Sequence, residues 1–409
     1  MGSQLNLPVW SSLLALGSVV LFFVGLALDV DTVISLFHER NYVYMGVSIA
    51  LLLISSIILQ VISFIWYSEP DKNLETTVET FVNNNGFIGM LHILQLGILL
   101  RLAGVAEINI RNIRQKERFQ KGEVVFQNHE ISMLNLFKKC MGSAPQVILK
   151  IVRTVQEQDP EPFTVFKIAA SLAFISFSVL FNQNVCRITL KERKKKIPSA
   201  VFFLWNLFVI PLRVVAVALF ASVLPFYNLV HFFFVWFLLF LWAWRQKMDL
   251  MEDKRGEVLY RIILGVIWYF NCFCGTNGVT KVKRNIYDVF MLLDTMLLLG
   301  LWFWRRSVES ARLNPLIVNP LVLLGVLAAL YFTGFLLKQL YYWKFHPKCP
   351  CFRFEVEDQT PQAPLQRSPA TMVDSVEPES VTPETITELQ PRVTSAEKRM
   401  RKMALNFYG

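Results

Sequence analysis

The sequence predicts an all-α polytopic membrane protein, with about eight membrane-spanning helices and two partial, re-entrant ones arranged as two pseudo-repeats. Three observations lead there. Hydrophobic residues make up 54 % of the 409 and charged residues only 18 %, where soluble domains carry about 25 % charged. Mean hydropathy is +0.42. The apolar residues come in blocks of about twenty or more, the length that crosses the hydrocarbon core of a bilayer. A soluble enzyme and a disordered chain are both excluded, because neither could hide this much apolar surface from water.

Ten apolar segments follow one another: 9–37, 42–67, 86–106, 131–155, 163–187, 198–223, 225–246, 257–274, 286–304 and 316–345. The first is too long for a cleavable signal peptide, and Met1 to Pro8 holds no Lys or Arg. Asn6 stands where a myristoylation motif needs Ser or Thr. Orientation follows from the basic residues. Arg111, Arg114, Lys116, Arg118 and Lys121 crowd one loop, Lys191 and Arg193 to Lys196 a second, and Arg245, Lys247, Lys254 and Arg255 a third. These loops are expected in the cytoplasm, and the acidic stretch 156–162 outside. The net charge of +10 therefore reads as basic loops facing anionic lipid, not as nucleic-acid binding.

These loops make the fourth to seventh segments each span, so with both termini cytoplasmic an even number must cross among the first three and among the last three, and each set has one too many. The short, glycine-flanked segments 86–106 and 257–274 occupy matching places in two sets of five. Paired short segments are the sequence sign of a repeat-built transporter-like fold. The domains are then 1–345, a transmembrane helical body, and 346–409, a cytoplasmic, largely disordered regulatory tail rich in proline.

Six cysteines do not make a disulfide framework in a chain this long. Cys349 and Cys351, just after the last segment, are candidates for palmitoylation or two reduced surface thiols. No second Cys/His pair accompanies them, so no metal and no cofactor is expected.

Ionisable residues inside apolar segments are costly and tend to be functional. Here they are Asp29 and Asp31, His92 and Arg101, Glu130, Lys138, Lys139 and Lys150, Arg213, Asp288 and Asp294, and Lys338. Snorkelling to the headgroups suffices for Lys150, Lys338, Asp31 and Asp288, and His231 reads as a satisfied core histidine. For Asp29, Arg101, Glu130, Lys138, Arg213 and Asp294 two readings stay open. They lock helices together in internal pairs, or they line a polar path through the bilayer. In the fourth segment Pro145 removes a helix hydrogen bond beside Gly142, Ser143 and Ala144, which predicts a kink.

The chain also resembles a known family. Glu130-Ile-Ser-Met-Leu with Phe137 and Ala144-Pro145-Gln146 is similar to a signature of the XK-related proteins. So are Phe203-Leu-Trp-Asn206, Arg213-Val-Val-Ala-Val-Ala-Leu-Phe, Leu259-Tyr-Arg261 and Tyr341-Tyr342 with His346-Pro347. The resemblance implies eight spanning and two partial helices. It also implies phospholipid scrambling, activated when a caspase cuts the cytoplasmic tail in apoptosis, with exposure of phosphatidylserine at the plasma membrane. It implies a single-span immunoglobulin-type chaperone of the basigin or neuroplastin kind, and a tail that ends in a short amphipathic helix against the body. Ser395 to Tyr408 fits such a helix, with Met400, Met403, Ala404 and Phe407 at helical spacing; a solvated basic tail end fits it as well. Lys138 and Gly142 stand where family scramblases carry further acidic residues, and Phe181 and Asn184 where they carry Asp and Arg. The path in this chain is thinner and more cationic.

Scrambling needs no covalent chemistry, only a hydrated, charge-lined route for the headgroup while the tails stay in lipid. The sequence has no GxxxxGK[ST] loop and no nucleophile–base arrangement, so an enzyme is not expected and movement runs down its gradient. The caspase candidates are Asp374, before Ser375, and Asp358, nearer to His346-Pro347; Ser368, Thr382 and Thr360, each before proline, are alternative phosphorylation sites. A channel or solute carrier on the same fold, and a non-transporting subunit, are the competing functions.

Overall fold

In a computed structural model of the protein the described residues are 9–68, 76–115, 121–157, 162–189, 196–246, 254–270, 281–309, 319–341, 343 and 399–402. No strand occurs among them. One compact unit comprises Met1–His346 with Thr394–Gly409. A second, Pro347–Val393, lies outside the described residues, and with it Cys349, Cys351, Asp358 and Asp374.

Two long helices open the chain, α1 (Val9–His38) and α2 (Tyr42–Tyr67). Three short ones follow, α3 (Thr77–Asn84), α4 (Ile88–Ile93) and α5 (Gly97–Gln115). Thr76 caps α3, its hydroxyl accepting from the Glu79 N–H at 3.3 Å. Gly86, at φ +69°, turns the chain from α3 into α4 in a conformation that glycine adopts without steric cost. Gln95, at φ +63°, turns it again into α5. That strained residue is braced by α2: Gln60 donates to its carbonyl at 2.8 Å and Ser56 to its side-chain oxygen at 2.7 Å. The predicted re-entrant segment 86–106 is thus α4 and the start of α5, with α3 folded against α5. No predicted segment contains α3, because its Thr-Val-Glu-Thr-Phe-Val-Asn-Asn holds too few apolar residues to read as membrane.

The fourth predicted segment is a composite of α6 (Lys121–Lys138), a five-residue π-helical turn (Lys139–Ser143) and α7 (Ala144–Glu157). The irregularity sits just before Pro145, the second residue of α7. Proline has no N–H to close the α-helical ladder, and a π turn absorbs the missing bond by shifting the register. Next come α8 (Pro162–Thr189), α9 (Lys196–Val223) and α10 (Pro225–Arg245). The chain continues through α11 (Lys254–Tyr269), α12 (Lys281–Val308) and α13 (Pro320–Leu340). Proline at the first position of α10 and α13 starts each helix where its N–H is not needed, and Asn319 caps the latter through the Leu321 N–H at 2.9 Å.

Among the described residues seven helices are long and apolar enough to cross a membrane: α1, α2, α8, α9, α10, α12 and α13. The composite α6–π–α7 has the length but carries too many charges to register by apolarity. With 16 residues, α11 reaches about 24 Å, short of a span. α9 is the hub, packed against α7, α8, α10, α12 and α13. Phe226, Val230, Phe233, Phe234 and Phe237 of α10 are at least half exposed. In a chain of this hydropathy such a face lies against lipid.

Candidate functional site

Four groups of polar residues stand out, three of them buried and one lining a cavity. The first joins α2, α5, α6 and the end of the tail. Arg101, fully buried, forms an ion pair through Nη1 with Oε2 of Glu130. Its Nε donates to the Ser63 hydroxyl at 2.7 Å and its Nη2 to the Ser63 carbonyl at 2.9 Å. The guanidinium lies 4.0 Å from the Tyr67 ring centre. Ser63, accepting from Arg101, has its own proton free for His92 Nε2 at 3.0 Å, and His92 Nδ1 donates to the Ile88 carbonyl at 2.8 Å. The second oxygen of Glu130, Oε1, accepts from Nη2 of Arg399 at 2.6 Å. Arg399 is buried, 4.7 Å over the Trp66 ring, and Met400 beside it is buried too. One carboxylate is thus shared by a cation of the body and a cation of the tail. Alongside, Glu79 of α3 is fully buried and receives hydrogen bonds from Tyr67, from Thr76 at 2.9 Å and from Gln127 at 2.7 Å.

The second group lies where α6 meets the π turn. Lys138 and Lys139 are both more than nine-tenths buried and face α1, which contributes Asp29, equally buried. The Lys138 ammonium stands 3.5 Å over the Phe22 ring. Among the described residues neither Lys138 Nζ nor Asp29 Oδ2 has a hydrogen-bond partner. Lys150, on α7, donates to the Leu28 carbonyl at 3.4 Å. Asp29 is the carboxylate in electrostatic reach of Lys138, Lys139 and Lys150.

The third is a cavity of about 490 Å³ between the end of α1, the start of α2, the end of α7 and the start of α8. Asp31, Glu39, Lys150, Arg153 and Lys167 line it, with ion pairs Arg153–Glu39 and Lys167–Asp31 across it. Glu130, Lys138, Lys139, Lys150 and Arg153 all belong to α6–π–α7. From Glu130 to Arg153 that helix climbs about 34 Å at 1.5 Å per residue, comparable to the hydrocarbon thickness.

The fourth group is built by other helices. Arg213 of α9 meets Asp294 of α12 at 2.5 Å. Its Nε donates to the Tyr269 carbonyl at 3.2 Å and its Nη1 to Thr295 at 3.2 Å, and the Tyr269 ring lies 4.7 Å below the guanidinium. His231 Nε2 donates to Asp294 at 2.8 Å.

The structure therefore brings Arg101 to Glu130 and places Asp29 with Lys138. It gathers Arg213 and Asp294 into a node of their own, closed by His231, Tyr269 and Thr295. Lys338 and Asp288, expected to snorkel separately, bond to each other at 2.5 Å inside the protein. Asp31 pairs with Lys167, and buried Lys150 reaches the α1 backbone. Glu79, Ser63 and the Arg399 contact were not foreseen. Glu79 had a signal, since Thr76-Thr-Val-Glu79 matches the capping-box pattern that opens a helix; Arg399 lies within the expected terminal helix, but nothing in the sequence pointed it to Glu130. Met403, Ala404 and Phe407 lie outside the described residues, as does all of the expected terminal helix except 399–402. Among the described residues no group of three His, Cys, Asp or Glu could hold a metal ion.

The sequence profile of the XK-related protein family matches residues 13–347. The chain belongs to the XK-related family. Among similar proteins, XK-related protein 8 of Tetraodon nigroviridis is 33 % identical over 336 residues, which is 80 % of this chain and 81 % of the relative. The same-named proteins of Gasterosteus aculeatus and Pan troglodytes are 32 % and 30 % identical, with 80 % of this chain covered in each and 81 % and 82 % of the relative. In this XK-related chain the matched region takes in all four groups of the body, and ends before Arg399.

Proposed function

We propose that this chain is an energy-independent phospholipid scramblase of the plasma membrane, held shut by the end of its own tail. A caspase opens it by cutting that tail, so that phosphatidylserine becomes exposed in apoptosis. The observation that carries this reading is the Arg399–Glu130 contact: a residue from the last eleven of the chain is buried against a carboxylate that already pairs with Arg101. A solvated tail end would not bury an arginine.

In this reading both termini are cytoplasmic. A headgroup travels between the outer cavity and the Glu130 end, along the face where α6–π–α7 meets α1. Cations there attract its phosphate, and Asp29 and Glu130 receive its amine, while the acyl chains stay in lipid. Arg213 and Asp294 lie off this route and hold the second half together. A charge-assisted hydrogen bond contributes about 1.5–3 kcal/mol, so losing the Arg399 contact weakens the closed state about ten- to a hundredfold. Cleavage after Asp374, or after Asp358, removes the contact altogether. The immunoglobulin-type chaperone stays a proposal on the family resemblance, as does palmitoylation of Cys349 and Cys351.

The test is flipping of fluorescent phospholipid in proteoliposomes, with intact chain and with chain ending at residue 374. Flipping by the cut form alone is the expected result. Ion or solute flux without flipping would make the chain a channel or carrier, and neither would make it a non-transporting subunit.

A further inference from the structure

We propose that the Lys138–Lys139 step at the α6–π junction is a phosphate-binding site, which makes the path favour headgroups of net negative charge over zwitterionic ones. The inference rests on the scramblase reading above and deepens it by naming the headgroup class.

The charge count comes first. Lys138 and Lys139 face one carboxylate, Asp29, and share it with Lys150, which also has Asp31 in reach. A buried ammonium without a counter-charge is costly, and here two adjacent ones sit with one acid between them, itself shared with a third base. Geometry comes second. Lys138 is 7 % exposed, and its three N–H donors find no hydrogen-bond acceptor among the described residues; its neighbour is the face of Phe22. An ammonium carries three donors and accepts nothing, so what completes it is an oxyanion. Lys139 stands so close to α1 that a Cβ on Gly25 would lie 2.5 Å from its Nζ; the missing side chain is what admits the ammonium. Depth comes third. Lys138 is eight residues from Glu130 and twelve from Lys150, about 12 and 18 Å along the helix, so the step sits near the middle of the track. At that depth the anions that arrive are a phospholipid phosphate or a small free anion. A carboxylate at position 138 would turn the same step towards the amine of the headgroup.

Two measurements test this. In the first, purified intact chain in detergent is titrated with dihexanoyl phosphatidylserine, dihexanoyl phosphatidylcholine or inorganic phosphate while its thermal unfolding is followed. The serine lipid is expected to stabilise at a concentration at least tenfold lower than the choline lipid. Lys138→Met and Lys139→Met should each erase that difference, and Lys138→Arg should keep it, which separates loss of charge from loss of fold. Equal response to the two lipids, or a difference that survives both Met substitutions, overturns the site. A lysine-dependent response to inorganic phosphate alone overturns its assignment to headgroups. In the second, intact chain carrying Arg399→Met flips labelled phosphatidylserine several-fold faster than phosphatidylcholine in proteoliposomes, and adding Lys138→Glu reverses the order. Equal rates overturn the preference and leave the scramblase reading standing. No flipping of either lipid, with lysine-dependent binding retained, overturns the scramblase reading and leaves the anion site.

Discussion

At the scale of single residues, Glu130 is the most constrained position, since its two oxygens hold two buried guanidinium groups, one from α5 and one from the end of the tail. Removing one partner of a buried pair leaves the other uncompensated and costs about 3–5 kcal/mol. Glu130→Gln is therefore expected to lower the thermal unfolding midpoint sharply in both intact and tail-cut protein. Arg399→Met removes a cation that can return to water with the tail, so it should leave the unfolding of the body nearly unchanged and give flipping without cleavage. A melting curve set beside a flipping assay distinguishes the two. The Arg213–Asp294 node predicts a different pattern. Arg213→Met alone should destabilise by about 3–5 kcal/mol, whereas Arg213→Met with Asp294→Leu should recover most of that loss, because the double change leaves no orphaned charge. If the node lies off the lipid route, the double variant of the tail-cut protein flips lipid at the unaltered rate.

At the scale of elements, the turn between α3 and α4 depends on Gly86, whose left-handed φ costs a residue with a Cβ about 1–2 kcal/mol. Gly86→Ala should lower the unfolding midpoint, while Gly17→Ala in α1, where a Cβ would meet nothing within 4 Å, should not. The long apolar helices were legible almost residue by residue: 42–67 is the extent of α2, and 9–37, 163–187, 198–223 and 225–246 match α1, α8, α9 and α10 to within two residues at each end. Lipid reads only hydrophobicity and length, and both are local properties. The composite α6–π–α7 begins ten residues before the predicted 131, because Gln127, Asn128 and His129 are buried by protein instead of lipid. α3 escaped for the same reason: its buried Glu79 is satisfied by the local Thr76 and by Tyr67 and Gln127, and only folding brings the last two near.

At the scale of the whole molecule, the scramblase reading moves lipid along fixed charges with no coupled energy source, so it predicts passive transport. Inward and outward flipping by the tail-cut protein are expected at equal rates, and ATP should change neither; reduction of lipid labelled on one leaflet, then on the other, measures both. The sequence by itself determined the solvent, the long apolar helices, the family and the set of charges that must be accounted for, because each follows from composition, local periodicity or a motif. Only the tertiary structure decided which charges meet. It sorted Arg213 with Asp294 and Lys338 with Asp288, and it set Arg399 on Glu130 across 269 positions of chain. Electrostatic pairing depends on distance in space, which no one-dimensional pattern encodes.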